Sequence, residues 1–170
     1  MATPTSTLEP PAKRTRISCS SEPRSSCTFP TTDDPMDESF CMKLYSTGDE
    51  GKISPTHIVL RQDVLEIRRA KSGKIFFQCA CCKHLPRGDR AKLSTLAPQS
   101  IASLYRAFTR FQTSHVPACE HIPQAIKDMS SMATRDVKAR GVKEYWVESA
   151  KKKGLKDGKG DECIIYCKTT

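Results

Sequence analysis

Four soft donor side chains stand at spacings that could hold a metal ion. Cys79-Ala80-Cys81-Cys82 contains a C-x2-C pair, and after 32 intervening residues His115-Val116-Pro117-Ala118-Cys119 supplies H-x3-C. Thiolate sulfur and imidazole nitrogen suit a soft tetrahedral cation, and zinc is the common ion that this donor set favours. One Zn2+ held by Cys79, Cys82, His115 and Cys119 would have four protein ligands and no open position for water. It would therefore organise structure and would not hydrolyse a substrate. Three neighbours are alternative ligands: Cys81 after a register slip, His84 just past the pair, and His121 two residues after Cys119. Cys163 and Cys167 fall on a terminal strand, where their spacing chelates poorly, and they read as packing thiols.

Such a clip needs separate elements that bring its halves together. Val64-Leu65-Glu66-Ile67-Arg68-Arg69 alternates apolar and charged residues as a strand does, with Leu65 and Ile67 on one face and Glu66 and Arg68 on the other. Lys71-Ser72-Gly73-Lys74 is a turn in which Gly73 can take a positive φ, and Ile75–Cys79 is the returning strand. Thr56–Leu60 is a further candidate strand, so a β-hairpin or three-stranded meander is expected to run straight into the Cys pair. Residues 83–92 form a basic loop. Pro98 then suits the first turn of a helix, and Ile101, Leu104, Tyr105, Phe108, Phe111 and Gln112 follow at helical spacing. His115 lies on the same inward face, and Pro117 is expected to stop the helix.

A second helix is expected over 123–133, with Ile122, Ile126, Met129 and Met132 or Ala133 inward. A connector at 134–141 leads to a helix over 142–153. Val142, Tyr145, Trp146 and Ala150 share one side of it, Lys151–Lys153 occupy its last turn, and Gly154-Leu155 is its C-terminal cap. Residues 157–160 form a turn and 162–167 a terminal strand. The expected fold class is α+β: a small antiparallel sheet stapled by one zinc to a helix, followed by C-terminal helices and a strand. The domain reading is a disordered tail over 1–52, a zinc-binding module over 53–133 and a helix–strand extension over 134–170.

Charge is uneven along the chain. Residues 1–40 carry four Lys/Arg against six Asp/Glu, whereas residues 41–170 carry 24 against 13, within a total of +9. A basic folded part favours a polyanionic partner, nucleic acid before a membrane surface. Mean hydropathy is −0.52, and no apolar run approaches the ~18 residues of a membrane span. The first residues are rich in Ser, Thr and Pro and lack the apolar stretch of a secretion signal, so the nine cysteines are expected to be reduced. Within this stretch Lys13, Arg14 and Arg16 follow two prolines in the manner of a nuclear import signal read by an import receptor, and the expected location is nuclear. The acidic patch at 33–38 reads as a solvated spacer.

No Walker loop, G-x-S-x-G, His-Glu-x-x-His or deaminase signature occurs, so no enzyme is expected. The order strand, strand, C-x2-C, helix, H-x3-C resembles the ββα zinc finger, and more closely the BED-type finger. The matching residues are Cys79, Cys82, His115 and Cys119 within 64–121. The spacer is long for that family, and the aromatic residues before its Cys pair appear only as Phe76 and Phe77. The module also resembles the zinc-stapled sheets of WRKY- and FLYWCH-type domains. The strings at 77–84, 115–123 and 145–155 further resemble an uncharacterised family of small protist proteins, which implies no function. The BED-type resemblance implies DNA binding. Arg61, Arg68, Arg69, Lys71, Lys74, Lys83, Arg87, Arg90, Lys92, Arg106 and Arg110 surround the clip as candidate nucleic-acid contacts. The rival expectation is a zinc-stapled protein-interaction module presenting Tyr145 and Trp146, although Trp146 also fits the inner side of its helix.

Overall fold

A computed structural model describes residues 36–133, 141–158 and 164–167. The fold is α+β. In chain order it contains β1 (Met36–Met42), a 3₁₀ turn (Thr47–Asp49), α1 (Pro55–Val59), a π turn (Leu60–Val64), β2 (Leu65–Ala70) and β3 (Ile75–Cys79). A 3₁₀ turn at Arg87–Asp89 precedes β4 (Thr95–Leu96). The long helical passage starts with a 3₁₀ turn at Ile101–Ser103 and continues as α2 (Leu104–Arg110), a π turn (Phe111–His115) and α3 (Val116–Ala118). Then come α4 (Gln124–Ala133), α5 (Val142–Lys152), β5 (Leu155–Asp157) and β6 (Ile164–Tyr166). Strands β1-β2-β3-β4 form an antiparallel sheet, and β5-β6 form a second, two-stranded one. Among the described residues, no helix is long and apolar enough to cross a membrane.

The β2–β3 hairpin forms as its alternation requires. Leu65 pairs with Cys79 and Ile67 with Phe77, and all four are buried. Gly73 takes φ 91° in the connecting turn, where a side chain would be strained. The sheet's apolar face meets Leu104, Phe108, Phe111 and Trp146, and the Phe108 and Trp146 rings lie 4.4 Å apart. Trp146 is a core residue, 1% exposed.

The Thr56–Leu60 stretch is helical, not a strand. Ser54 caps it, its side chain accepting from the His57 N–H at 3.3 Å, and Pro55 opens the first turn. The cap and the proline outweigh the strand preference of Ile58 and Val59. Order also begins earlier than the expected boundary at residue 53. Strand β1 pairs with β2 through an irregular register between Asp37 and Cys41, and Leu44 and Asp49 are fully buried. The three polar residues of β1, Asp37, Glu38 and Ser39, stand in a row, so the strand carries no clean alternation of its own. Its pairing partner and the Asp37–Arg69 ion pair, at 2.5 Å, hold it in place.

Pro117 does not end the helix. It sits inside α3, two residues after the π turn, which closes with the Val116 N–H on the Phe111 carbonyl. The wider turn opens the backbone ahead of the proline, whose ring would otherwise press on the carbonyl four residues back. Helix α4 buries Ser130 and half-buries Ile126 but leaves Met129 36% and Met132 71% exposed, so its inward face is narrower than the methionine spacing suggests. Helix α5 ends as expected: Gly154 takes φ 84° and its N–H reaches the Lys151 carbonyl. Strand β5 occupies residues 155–157, where a turn is expected from 157 on. Lys13, Arg14, Arg16, the rest of the expected tail up to residue 35, the connector at 134–140 and Cys163 lie outside the described residues.

Candidate metal centre

Strand β3 delivers Cys79 at its last position. The backbone then turns, with the Ala80 N–H donating to the Val64 carbonyl at 2.8 Å and the Leu85 N–H to the Cys82 carbonyl at 3.1 Å. Arg90 braces this knuckle by donating to the carbonyls of Leu85 at 2.8 Å and Lys83 at 2.5 Å. From the other side the long helix brings His115, and its end brings Cys119, whose N–H bonds the His115 carbonyl at 2.9 Å. The four ligand atoms of Cys79, Cys82, His115 and Cys119 all lie within 4.8 Å of one another, and all four residues are buried.

These distances fit one tetrahedral ion. Bonds of ~2.3 Å to sulfur and ~2.0 Å to nitrogen put a sulfur–nitrogen edge near ~3.6 Å. The Cys82 Sγ to His115 Nε2 distance is 3.7 Å. The imidazole is also oriented for ligation. Its Nδ1 lies 3.0 Å from the Lys92 carbonyl, which can only accept, so Nδ1 carries the hydrogen and the Nε2 lone pair faces the thiols. The ring stacks on Phe111 at 4.9 Å between centroids. Leu93, the residue after that carbonyl, takes φ 60°, a left-handed conformation that costs an L-residue roughly 1–2 kcal/mol. This strain sits where the chain aims the second-sphere acceptor.

Burial sets the protonation of the metal-free cluster. It pushes the Cys79 and Cys82 thiols up, a hydrogen bond from Cys79 opposing the rise at Cys82 and the Cys119 charge adding to it at both. It also lowers the His115 imidazole, with a smaller opposing pull from the Lys92 carbonyl. The imidazole is therefore neutral near pH 7 and ready to donate, while these thiols keep their protons until a cation displaces them. The cluster is able to hold one metal ion.

The alternative ligands stand outside it. Cys81 is half-buried beside the cluster but is not one of the four, and burial pushes its thiol up. His84 and His121 are exposed and meet each other edge-on, 5.1 Å between ring centroids. Cys167 is half-buried and also outside the cluster.

The basic residues divide into two groups. Arg61 is no surface contact: it is fully buried, paired with Asp49 at 3.2 Å, and bonded to the Leu44 carbonyl and the Ser149 hydroxyl at 2.6 Å each. Its guanidinium lies 4.5 Å from the Trp146 ring centre, and Tyr145 donates to Asp49 at 2.6 Å. Burial pushes the Tyr145 hydroxyl up to about 12, with Asp49 adding to the effect. Arg69 is tied to Asp37, Lys83 donates to both Glu66 oxygens at 2.9 Å, and Arg68 reaches the Glu38 carbonyl at 3.4 Å. With Arg90 spent on the knuckle, the exposed group is Lys71, Lys74, Arg87, Lys92, Arg106 and Arg110.

The Asp49–Arg61 centre was not visible as a site in the sequence. The only hint is an acidic pair, Asp49-Glu50, just before Ile53, where order is expected to begin. No protein-family model, curated protein or solved structure matches the chain.

Proposed function

We propose that the ion held by Cys79, Cys82, His115 and Cys119 is zinc and that the stapled fold is a nuclear nucleic-acid-binding module. Three thiols and an imidazole favour zinc over the hard cations Mg2+ and Ca2+. Four protein ligands leave no position for a substrate or a water, which supports a structural role over a catalytic one. The arrangement of a Cys pair at a hairpin end and a His and Cys at a helix end keeps the resemblance to BED-type fingers alive as part of this reading.

One observation carries the nucleic-acid reading: the outward face of the long helix. From Ala91 to Cys119 the chain contains no Asp or Glu. On this acid-free stretch Arg106 and Arg110 stand exposed one turn apart, beside exposed Thr109, Thr113 and Ser114. Arg61, Arg69, Lys83 and Arg90 are engaged with partners of the chain's own, so Arg106 and Arg110, with Lys71, Lys74, Arg87 and Lys92, would supply the phosphate contacts. DNA is favoured over RNA on the BED-type resemblance alone. Lys13, Arg14 and Arg16 would engage an import receptor. The rival reading, a protein-interaction module presenting Trp146, is weakened because that ring is buried and the Tyr145 hydroxyl is spent on Asp49 and the Gly48 carbonyl.

The test is binding of the zinc-loaded full chain to duplex DNA across salt concentrations. Arg106→Glu with Arg110→Glu is expected to weaken binding tenfold or more and to flatten the salt slope by about 2, one for each lost phosphate contact. Tight binding to a protein partner that is unaffected by salt or by these substitutions, with no DNA shift, would remove the proposal.

A further inference from the structure

A buried ligand set needs a route by which the ion arrives. Such a route is present beside the candidate metal centre. A cleft of about 230 Å³ is lined by Cys82 and Cys119, two of the four ligands, and by Asp89, Glu120 and His121 from the surface. His121 is exposed, and its ring meets that of exposed His84 at 5.1 Å and 85°. Two of the chain's four histidines therefore stand together next to the opening that leads to the thiols.

We infer that His84 and His121 form a second, exposed divalent-metal site that captures the ion and passes it through this cleft to the buried cluster. Neutral imidazoles are the commonest protein ligands for first-row divalent ions, and two of them with completing waters make a weak, open site. The carboxylates of Asp89 and Glu120 add negative charge where the cation enters, while the nearby Arg90 guanidinium is engaged with the Leu85 and Lys83 carbonyls. The transfer is ligand exchange with no change of oxidation state. The two imidazole–metal bonds break, bonds form to the three Sγ atoms and to His115 Nε2, and the three displaced thiol protons go to solvent. Weak binding at the entrance suits the role, since an ion held tightly there would not move on.

This inference rests on the metal-centre reading, and the experiment separates the two. Metal-free, tag-free full chain is mixed with one equivalent of Co2+, and the thiolate-to-cobalt absorption is followed in time for the wild type and for the His84→Ala, His121→Ala double variant. The expected result is the same final spectrum and stoichiometry in both, with loading at least fivefold slower in the variant. In parallel, zinc-loaded wild type is expected to bind a further equivalent of Ni2+ weakly, and the variant is not. Equal loading rates would overturn the entry role, and the absence of a second, weak Ni2+ equivalent would overturn the site itself. If no thiolate absorption develops in either protein, the metal centre is wrong and the inference falls with it. His84→Ala alone, which alters only one exposed ring, guards against a folding defect: it should load at an intermediate rate.

Discussion

Removing the Asp49 carboxylate tests how far the folded unit reaches toward the N-terminus. Asp49 and Arg61 are each fully buried and meet at 3.2 Å between Nε and Oδ2. At an effective dielectric near 20, a charge pair at that distance is worth about 5 kcal/mol, and breaking a buried pair by removing one partner typically costs about 3–5 kcal/mol. In Asp49→Ala the guanidinium keeps its bonds to the Leu44 carbonyl and the Ser149 hydroxyl and its place over Trp146. What it loses is the only carboxylate seen against it among the described residues, and Tyr145 loses an acceptor as well. A cost of about 3–5 kcal/mol would remove at least about a fifth of the roughly 5–15 kcal/mol that stabilises an ordinary domain. The assay is urea unfolding of the metal-loaded protein followed by Trp146, the single tryptophan, which reports from beside the pair. Asp49→Ala should lower the midpoint sharply with little change in slope. Adding Arg61→Met should recover at least half of the loss, because no unpaired charge then remains buried. A loss below about 1 kcal/mol, or a double variant no better than the single, would refute the reasoning.

Three further outcomes are expected. Cys82→Ser should abolish stoichiometric zinc, read by elemental analysis, and lower the urea midpoint of a chain that still folds, since the free energy of metal binding adds to that of folding; retained zinc would contradict the ligand assignment. A chain starting at residue 36 should unfold with the same urea midpoint as the full chain, whereas one starting at residue 53, lacking β1, Leu44 and Asp49, should fail to fold cooperatively. Equal midpoints for the two truncations would count against β1 as part of the core. Burial holds the His57 imidazole below its ordinary 6.5, with the Arg61 charge acting in the same direction and the Gln112 side chain opposing it. The unfolded chain therefore takes up the proton first, and stability that is complete above pH 6.5 falls as the pH drops below it. His57→Leu should shallow that fall between about pH 6.5 and 5, with His115 leaving a residue of it, and identical pH profiles of the midpoint would show that the fold does not hold His57 uncharged.

What the sequence made legible follows from which signals are local. The β2–β3 hairpin, the Gly73 turn, the helix carrying Phe108 and Phe111 and the Gly154 cap all depend on alternation, periodicity or one special residue, and each is where it was expected. His115 could be placed on a buried face because its spacing from Phe108 and Phe111 continues the apolar stripe. The misses are non-local or involve competition between local rules. Strand β1 lacks alternation, with Asp37, Glu38 and Ser39 in a row, and it forms because β2 offers an edge to it. Arg61 looks like any surface arginine until Asp49, Ser149 and Trp146 arrive from 12 residues before and some 85 after. Thr56–Leu60 reads as a strand by composition, but the Ser54-Pro55 start decides for helix. Pro117 reads as a stop, and only the π turn at Phe111–His115 explains how the helix passes it.

That π turn links the misread proline to the metal. A regular helix would advance about 100° per residue through 111–119, whereas the wider turn at Phe111–His115 slows that advance. It lets Phe111 and His115 stack face to face while Val116 is still buried. Phe108, Phe111 and His115 lie on one inward side, so the same helix packs against Trp146 in its middle and offers Nε2 to the thiols at its end. The two polar centres thus fix one rigid rod at two points: Arg61 beneath Trp146 where Phe108 packs, and the cysteines where His115 ends the π turn. With the inner face held at both points, Arg106 and Arg110 on the outer face have little freedom of position, and a recognition surface on this chain would need that fixity.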